Sequence, residues 1–313
     1  MKKVAFVIPY FGKFNNYFEL FLQSCRFNET IDFLIFTDDK TKYDYPENVK
    51  VKYMTFSELK EKIQSKFDFK IGLEKPYKLC DFRPAYGYIF EDYLKGYDFW
   101  GYCDTDIIFG DIRKFYSEEV LNKYDKIGIF GHASIIKNSR ELRNIFACAG
   151  SRYQDVFENP SNATIHGSAF DEEYDGSINS ILVKHGYKIY ENDICANIYM
   201  KSSNFRLTKY RKETNSYVTE RNKKAIFVFD NGKLYRYNLD SKTKQDYLYI
   251  HMQSRSMRVR ANNKNLFKII PNSFDDVNIS NLDKEKFKHF NLHYFRLRSH
   301  NLIVKIRRAI AHE

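Results

Sequence analysis

Short apolar runs alternate with amphipathic segments through the first half of the chain. VAFVI (4–8) contains no polar position and predicts a buried strand. NNYFELFLQSCRF (15–27) spaces its apolar residues as one face of a helix does. DFLIFT (32–37) predicts a second strand, ended by Asp38 and Asp39, and VKVKY (49–53) a third. SELKEKIQSKF (57–67) predicts a helix with Ser57 as its N-cap. A long helix is expected from about Lys78 to Leu94, with Pro84 near its start or bending it. YDFWGYC (97–103) and KIGIF (126–130) add strands. Alternation of this kind predicts an α/β fold with a mainly parallel sheet.

The second half is more irregular. FDEEYDGSINSILVKHG (170–186) reads as a helix closed by Gly186. AIFVFDNGKLYRY (225–237) carries a hairpin signal with Asn231-Gly232 as its turn. DYLYIH (246–251) predicts a late strand. From Lys284 the tone changes: residues 284–313 hold eight Lys or Arg against two acids, and RLRSHNLIVKIRRAIA mixes apolar and basic residues at roughly helical spacing. The expected division is a catalytic domain over 1–260 and a basic helical extension over 261–313.

Composition narrows the classes. No apolar run in the 313 residues approaches the ~18 that predict a membrane span. The opening MKKVAFVIPYFGKF imitates a signal peptide, but Gly12 and Lys13 interrupt its apolar part, so a first strand is expected there. Five widely spaced cysteines with no C-x-x-C fit reduced thiols in a cytoplasmic protein and argue against a disulfide frame or a zinc site. The formal charge of +11 admits nucleic acid, anionic lipid or a phosphorylated substrate as a partner, and also a plain bias toward lysine.

The sharpest chemistry lies in FWGYCDTDIIFGDI (99–112). Asp104 and Asp106 stand at i and i+2 after an apolar, aromatic run. In a strand they would share a face and repel unless something compensates. A shared cation would do so, and oxygen ligands of this kind suit Mg²⁺ or Mn²⁺. A polar turn capping a strand is the competing explanation for a bare D-x-D. The apolar segments on both sides favour a built site.

GYCDTDIIFGDIRKFY resembles the metal motif of GT-A glycosyltransferases, especially glycosyltransferase family 8. KLCDFRPAYGYIFEDYLKGYDFWGYCDTD is similar to the family 32 pattern, in which a Lys and an Asp-x-Arg precede the D-x-D strand. The likeness covers roughly residues 3–255 and points to bacterial enzymes of surface-polysaccharide synthesis, such as that of capsule or lipopolysaccharide. It implies a Rossmann-like GT-A domain and a hexosyltransferase-type activity on a nucleotide sugar, UDP being the commonest nucleotide, with retention of configuration the weaker inference.

Residue by residue, the resemblance implies that Asp104, Asp106 and His251 hold Mn²⁺ or Mg²⁺. Pro9, Tyr10, Phe11 and Asp38 would meet the nucleoside, with ordinary turn positions the competing reading, while Lys78, Asp81, Arg83 and Thr105 would line the ribose and phosphates; a salt-bridged helix face is the competing explanation for Lys78, Asp81 and Arg83. Family 8 continues its late histidine with Gly and Lys-Pro-Trp. This chain reads HMQSRSMR instead, so Arg255 or Arg258 is expected to replace the phosphate-binding lysine. In HGSAFDEEYDGS (166–177), Asp171 and Glu172 would sit at a helix start and meet the acceptor hydroxyl.

The expected acceptor is a glycan or lipid-linked oligosaccharide at the inner face of the cytoplasmic membrane. Residues 284–313 are expected to dock on anionic lipid there. Two rivals come from other classes. A haloacid-dehalogenase-like phosphatase also places D-x-D after a buried strand, but near its N-terminus and with Thr or Val where Ile108 stands. A nucleic-acid-binding protein would fit the charge but lacks a recognised motif, and no nucleic-acid partner is expected.

Overall fold

The computed structural model describes residues 1–161, 169–172, 176–191, 194–199, 202–214 and 216–310. The chain packs as two compact units, each assembled from separate stretches.

The first unit comprises 1–14, 28–105 and 115–192. Its sheet has seven strands in the order Val49–Tyr53, Ile31–Thr37, Val4–Pro9, Phe99–Cys103, Ala133–Lys137, Lys126–Ile127 and Ile189–Tyr190. Four of its strand pairs are parallel and two antiparallel, so the predicted mainly parallel α/β architecture is observed. Apart from Asp32 and Thr37, the central strands Ile31–Thr37, Val4–Pro9 and Phe99–Cys103 are apolar, because both faces are covered. Ala5, Val7, Leu34, Phe36, Trp100 and Tyr102 line one face and pack with Leu79, Phe82, Tyr86 and Ile89. Phe6 and Phe33, one residue out of phase with these, stack at 5.5 Å.

The long helix expected over 78–94 is replaced by successive short turns: Pro76–Lys78, Leu79–Phe82, Arg83–Ala85, Tyr86–Ile89 and Glu91–Tyr93. Two residues explain the break. Pro84 cannot donate a helical hydrogen bond and crowds the preceding turn. Gly87 lies so close to Trp100 that a Cβ would stand 2.4 Å from Cε2, so the segment follows the sheet surface.

Other boundaries moved for local reasons. The second helix runs Phe56–Gln64 and is capped by Thr55, not Ser57. Thr55 and Glu58 form a reciprocal capping box, with the Thr55 N–H donating to the Glu58 carboxylate at 2.6 Å. The strand expected over 126–130 ends at Ile127, because Gly128 turns the chain at φ +86°. The helix expected over 170–186 is Ile178–Lys184, capped by the Ser177 hydroxyl, and Gly186 follows its end at φ +79°. Residues 173–175 of that expectation lie outside the described residues.

The second unit comprises 15–27, 106–114 and 193–313. It includes the helix Phe18–Arg26 and a three-stranded sheet in which Tyr249–His251 pairs antiparallel with Ile107–Phe109 and parallel with Cys195–Asn197. A six-stranded sheet runs Thr243–Asp246, Lys233–Asn238, Ala225–Asp230, Leu266–Ile270, Ser273–Asp275 and Arg258–Val259. The predicted hairpin is present, with Asn231 and Gly232 both at positive φ (46° and 86°), as a type I′ turn requires. Two strands of this sheet lie beyond residue 260, so packed structure continues past the boundary expected from sequence. The late strand begins at Tyr249 rather than Asp246, because Thr243–Asp246 belongs to the larger sheet.

Candidate functional site

In the first unit, the strand Phe99–Cys103 delivers Asp104 at its C-terminal end. The Asp104 N–H donates to the His132 carbonyl at 3.0 Å, which fixes the backbone there. The Asp104 carboxylate accepts from the Arg83 guanidinium, whose other arm donates to Asp171 Oδ2 at 2.8 Å. One buried cation therefore bridges two carboxylates, and that is a direct answer to their repulsion. Burial works against the charge on Arg83, yet Asp104 and Asp171 more than offset it and raise its pKa. Burial pushes Asp171 above the ordinary carboxylate range, although Arg83 opposes this. Gly131 makes room for the pair: a Cβ there would stand 2.4 Å from Asp171 Oδ2 and 3.1 Å from Arg83 Nη1.

Among the described residues, the helix that follows Asp171 and Glu172 begins at Ile178. Asp171 is buried, and the Glu172 carbonyl accepts from the Asn179 side chain at 3.0 Å. The rest of HGSAFDEEYDGS, residues 166–168 and 173–175, lies outside the described residues.

Lys78 stands apart from the Arg83 cluster's chemistry. Its ammonium donates to Asp81 Oδ2, the Val156 carbonyl and the Ser161 carbonyl, each at 2.7 Å. An ammonium has three N–H donors, so all are used within the fold. Lys78 and Asp81 thus form a buried cross-link, where sequence had set them beside phosphates.

At the end of Val4–Pro9, the Tyr10 N–H donates to the Phe36 carbonyl at 2.9 Å, and its ring stacks on Phe14 at 4.6 Å. Phe11 turns into the core and meets Phe56 edge-on. Asp38 is exposed and accepts from the Gly12 N–H at 2.7 Å, so it ties this loop to the end of the second strand.

Its neighbour Asp39, to which sequence assigned no role beyond ending a strand, is the stronger anchor. Its buried carboxylate accepts from Lys13 Nζ (2.7 Å), the Thr41 hydroxyl (2.7 Å) and N–H (3.0 Å), and the Phe14 N–H (3.2 Å). Burial alone would raise its pKa; the hydrogen bonds from Lys13, Thr41 and Phe14 prevail and hold it well below the usual range. A depressed carboxyl stabilises the fold above its unfolded pKa, about 4, and that contribution fades as pH falls toward the folded value. Asp39→Asn is therefore expected to lower unfolding free energy by about 1.5–3 kcal/mol at neutral pH. The deficit should shrink in acid. Urea titrations at several pH values check this, and a deficit that stays constant into acid would contradict it.

In the second unit, Asp106 and His251 meet. His251 Nε2 lies 3.2 Å from Asp106 Oδ1, and both side chains are largely buried. Strand pairing sets the contact, since His251 stands in register with Ile107. The turn after His251 completes it. Gln253 and Ser254 adopt φ of +55° and +52°, the Met252 N–H donates to the Asp106 carbonyl at 2.9 Å, and the Ser254 N–H donates to Asp106 Oδ2. Burial pushes the Asp106 carboxyl up, but His251 and the Ser254 N–H outweigh it and hold it low. No sequence pattern pointed to Ser254, because its contribution is a backbone N–H.

Arg255 does not reach outward. Its guanidinium is buried over Phe205, 5.4 Å from the ring, and donates to the carbonyls of Ser202 (2.5 Å) and Pro271 (3.4 Å). Burial lowers its pKa to about 10. The exposed arginine of this stretch nearest the turn is Arg258. Thr105, between the two aspartates, is buried. It is also the last residue of the first unit's segment, while Asp106 opens a segment of the second.

Fold and side chains together define an α/β protein that carries a carboxylate–imidazole pair and a two-carboxylate guanidinium bridge. The chain belongs to DUF6625, a family of unknown function whose pattern matches residues 6–278. No curated protein matches it in sequence. Among solved structures it is similar to the apo-form glycosyltransferase GlyE of Streptococcus pneumoniae TIGR4, at 15% identity and a TM-score of 0.34, over 64% of this chain and 47% of that one. A second structure of GlyE matches at 10% and 0.30, over 61% and 45%. The galactosyltransferase LgtC, in complex with donor and acceptor sugar analogs, matches at 10% and 0.31, over 62% and 74%. The match spans about half the length of the GlyE chains.

Proposed function

We propose that this protein is a divalent-cation-dependent glycosyltransferase that moves a sugar from a nucleotide donor, UDP-linked by preference, to a glycan or lipid-linked acceptor of surface-polysaccharide synthesis. The observation that carries the reading is the pairing of Asp106 with His251, two residues remote in sequence that the resemblance named as ligands of one ion. Asp104 would be the third ligand. Only Thr105 separates it from Asp106, and two trans peptide units span at most about 7 Å between Cα atoms.

The donor set fits the ion. Carboxylate oxygens suit Mg²⁺ and Mn²⁺ alike, and an imidazole nitrogen shifts the preference toward Mn²⁺. When bound, the cation would supply Lewis-acid stabilisation for the charge on a departing diphosphate. The protein's own residues do the positioning. Ser254 N–H and His251 orient the Asp106 carboxylate, and Arg83 orients that of Asp104. Partners of this type fix ligand orientation and tune affinity. For an inverting reaction, Asp171 and Glu172 are the candidate bases: Asp171 is buried and engaged by Arg83 through Oδ2, whereas Glu172 is half-buried. Retention, which the family resemblance favours, would leave the proton to the leaving phosphate.

The test is incubation with a panel of UDP-, GDP- and CMP-sugars, read as nucleotide release. Release from one donor class that stops with chelator and returns with Mn²⁺ is expected. Release from none, with phosphate liberated from simple esters instead, would overturn the reading in favour of a phosphatase.

A further inference from the structure

Within the second unit, the helix Leu292–Ile310 is fastened at its first turn. Tyr294 is buried and donates through its hydroxyl to Asn204 Oδ1 at 3.1 Å, and the His293 ring meets the Ser256 carbonyl at 3.0 Å. At about 100° per residue, Leu292, Phe295, Leu302, Ile303 and Ile306 fall within about 100° of arc, on the side away from His293 and Tyr294. All five are exposed, Leu292 by 64% and Leu302 by 58%. Exposed Arg296 and Arg298 flank this stripe, one on each edge. The sequence of the same helix adds Lys305, Arg307 and Arg308. No helix among the described residues is long and apolar enough to cross a membrane.

We propose that Leu292–Ile310 is an in-plane anchor for an anionic lipid bilayer. A ~28 Å helix with an apolar stripe bordered by arginines has the form of an interfacial helix. The stripe would enter the acyl boundary while the guanidinium groups meet lipid phosphates. Charge complementarity selects this occupant, since residues 284–313 carry eight basic residues against two acids. A second protein packing on the stripe would not need the arginine borders. The reaction class does not enter this inference, although docking would bring a lipid-linked acceptor to the enzyme.

The experiment is co-sedimentation of the full-length protein with phosphatidylglycerol vesicles and with phosphatidylcholine vesicles. Two double variants accompany it, Leu302→Gln with Ile303→Gln, and Arg296→Gln with Arg298→Gln. All four positions are exposed, so unchanged circular dichroism is expected. The native protein should bind phosphatidylglycerol and leave phosphatidylcholine, with added salt weakening it. The arginine pair should reduce binding about thirtyfold, and the apolar pair at least about tenfold. Equal binding by native protein and both variants would overturn the proposal, as would equal binding to both lipids. So would absence from all vesicles, with a self-associated species that dissolves in the apolar variant.

Discussion

Asp106→Asn is expected to abolish Mn²⁺-dependent nucleotide binding while leaving the protein folded. The native carboxylate accepts from the Ser254 N–H on Oδ2 and faces His251 Nε2 with Oδ1. Asparagine keeps one acceptor oxygen for Ser254, so the turn after His251 should survive. It loses the negative charge and presents an amide N–H₂ in place of the second oxygen, which cannot ligate a cation. Removing a group that merely supports a metal ligand lowers affinity by about 10–100-fold, so removing a ligand should exceed about 100-fold. Equilibrium dialysis with Mn²⁺ reads this directly. Native affinity in a folded Asp106→Asn protein would place the cation elsewhere.

The second large effect belongs to stability. Arg83→Met is expected to lower unfolding free energy by about 3–5 kcal/mol, because it strands a buried carboxylate. Arg83 is 12% exposed and Asp171 only 1%, so water cannot replace the lost partner. Adding Asp171→Asn removes the stranded charge, and the double variant should be more stable than the sum of the singles predicts by at least about 1 kcal/mol. Urea unfolding of the four proteins measures the coupling. Additivity within about 0.5 kcal/mol would mean that the 2.8 Å contact does not carry the stability assigned to it.

The parts of the fold legible in the sequence were those whose signal is local. The buried strands showed as unbroken apolar runs, and Asn231-Gly232 predicted a turn that only residues tolerant of positive φ make easily. The helix expected over 78–94 failed because apolar spacing does not report what the opposing surface demands. Gly87 is required by Trp100, which a reading of the segment alone cannot see.

The site divides along the same line. Asp106 and His251 were readable because their pattern matches a known motif, and strand register then brings them together. Lys78 and Arg255 were assigned to phosphate by the family resemblance. The sequence does not reveal that backbone carbonyls absorb both cations within the fold. Arg83 was named from the Asp-x-Arg pattern of the same resemblance, but its bridge from Asp104 to Asp171 depends on Gly131, a small residue with no motif of its own.

Calorimetric titration of the native protein with UDP, GDP and CMP, each with and without Mn²⁺, tests the central claim most directly. The account predicts that one nucleotide, UDP first among them, binds in the micromolar range only when Mn²⁺ is present. Failure of every nucleotide to bind under either condition would contradict a nucleotide-sugar donor site at the paired aspartates.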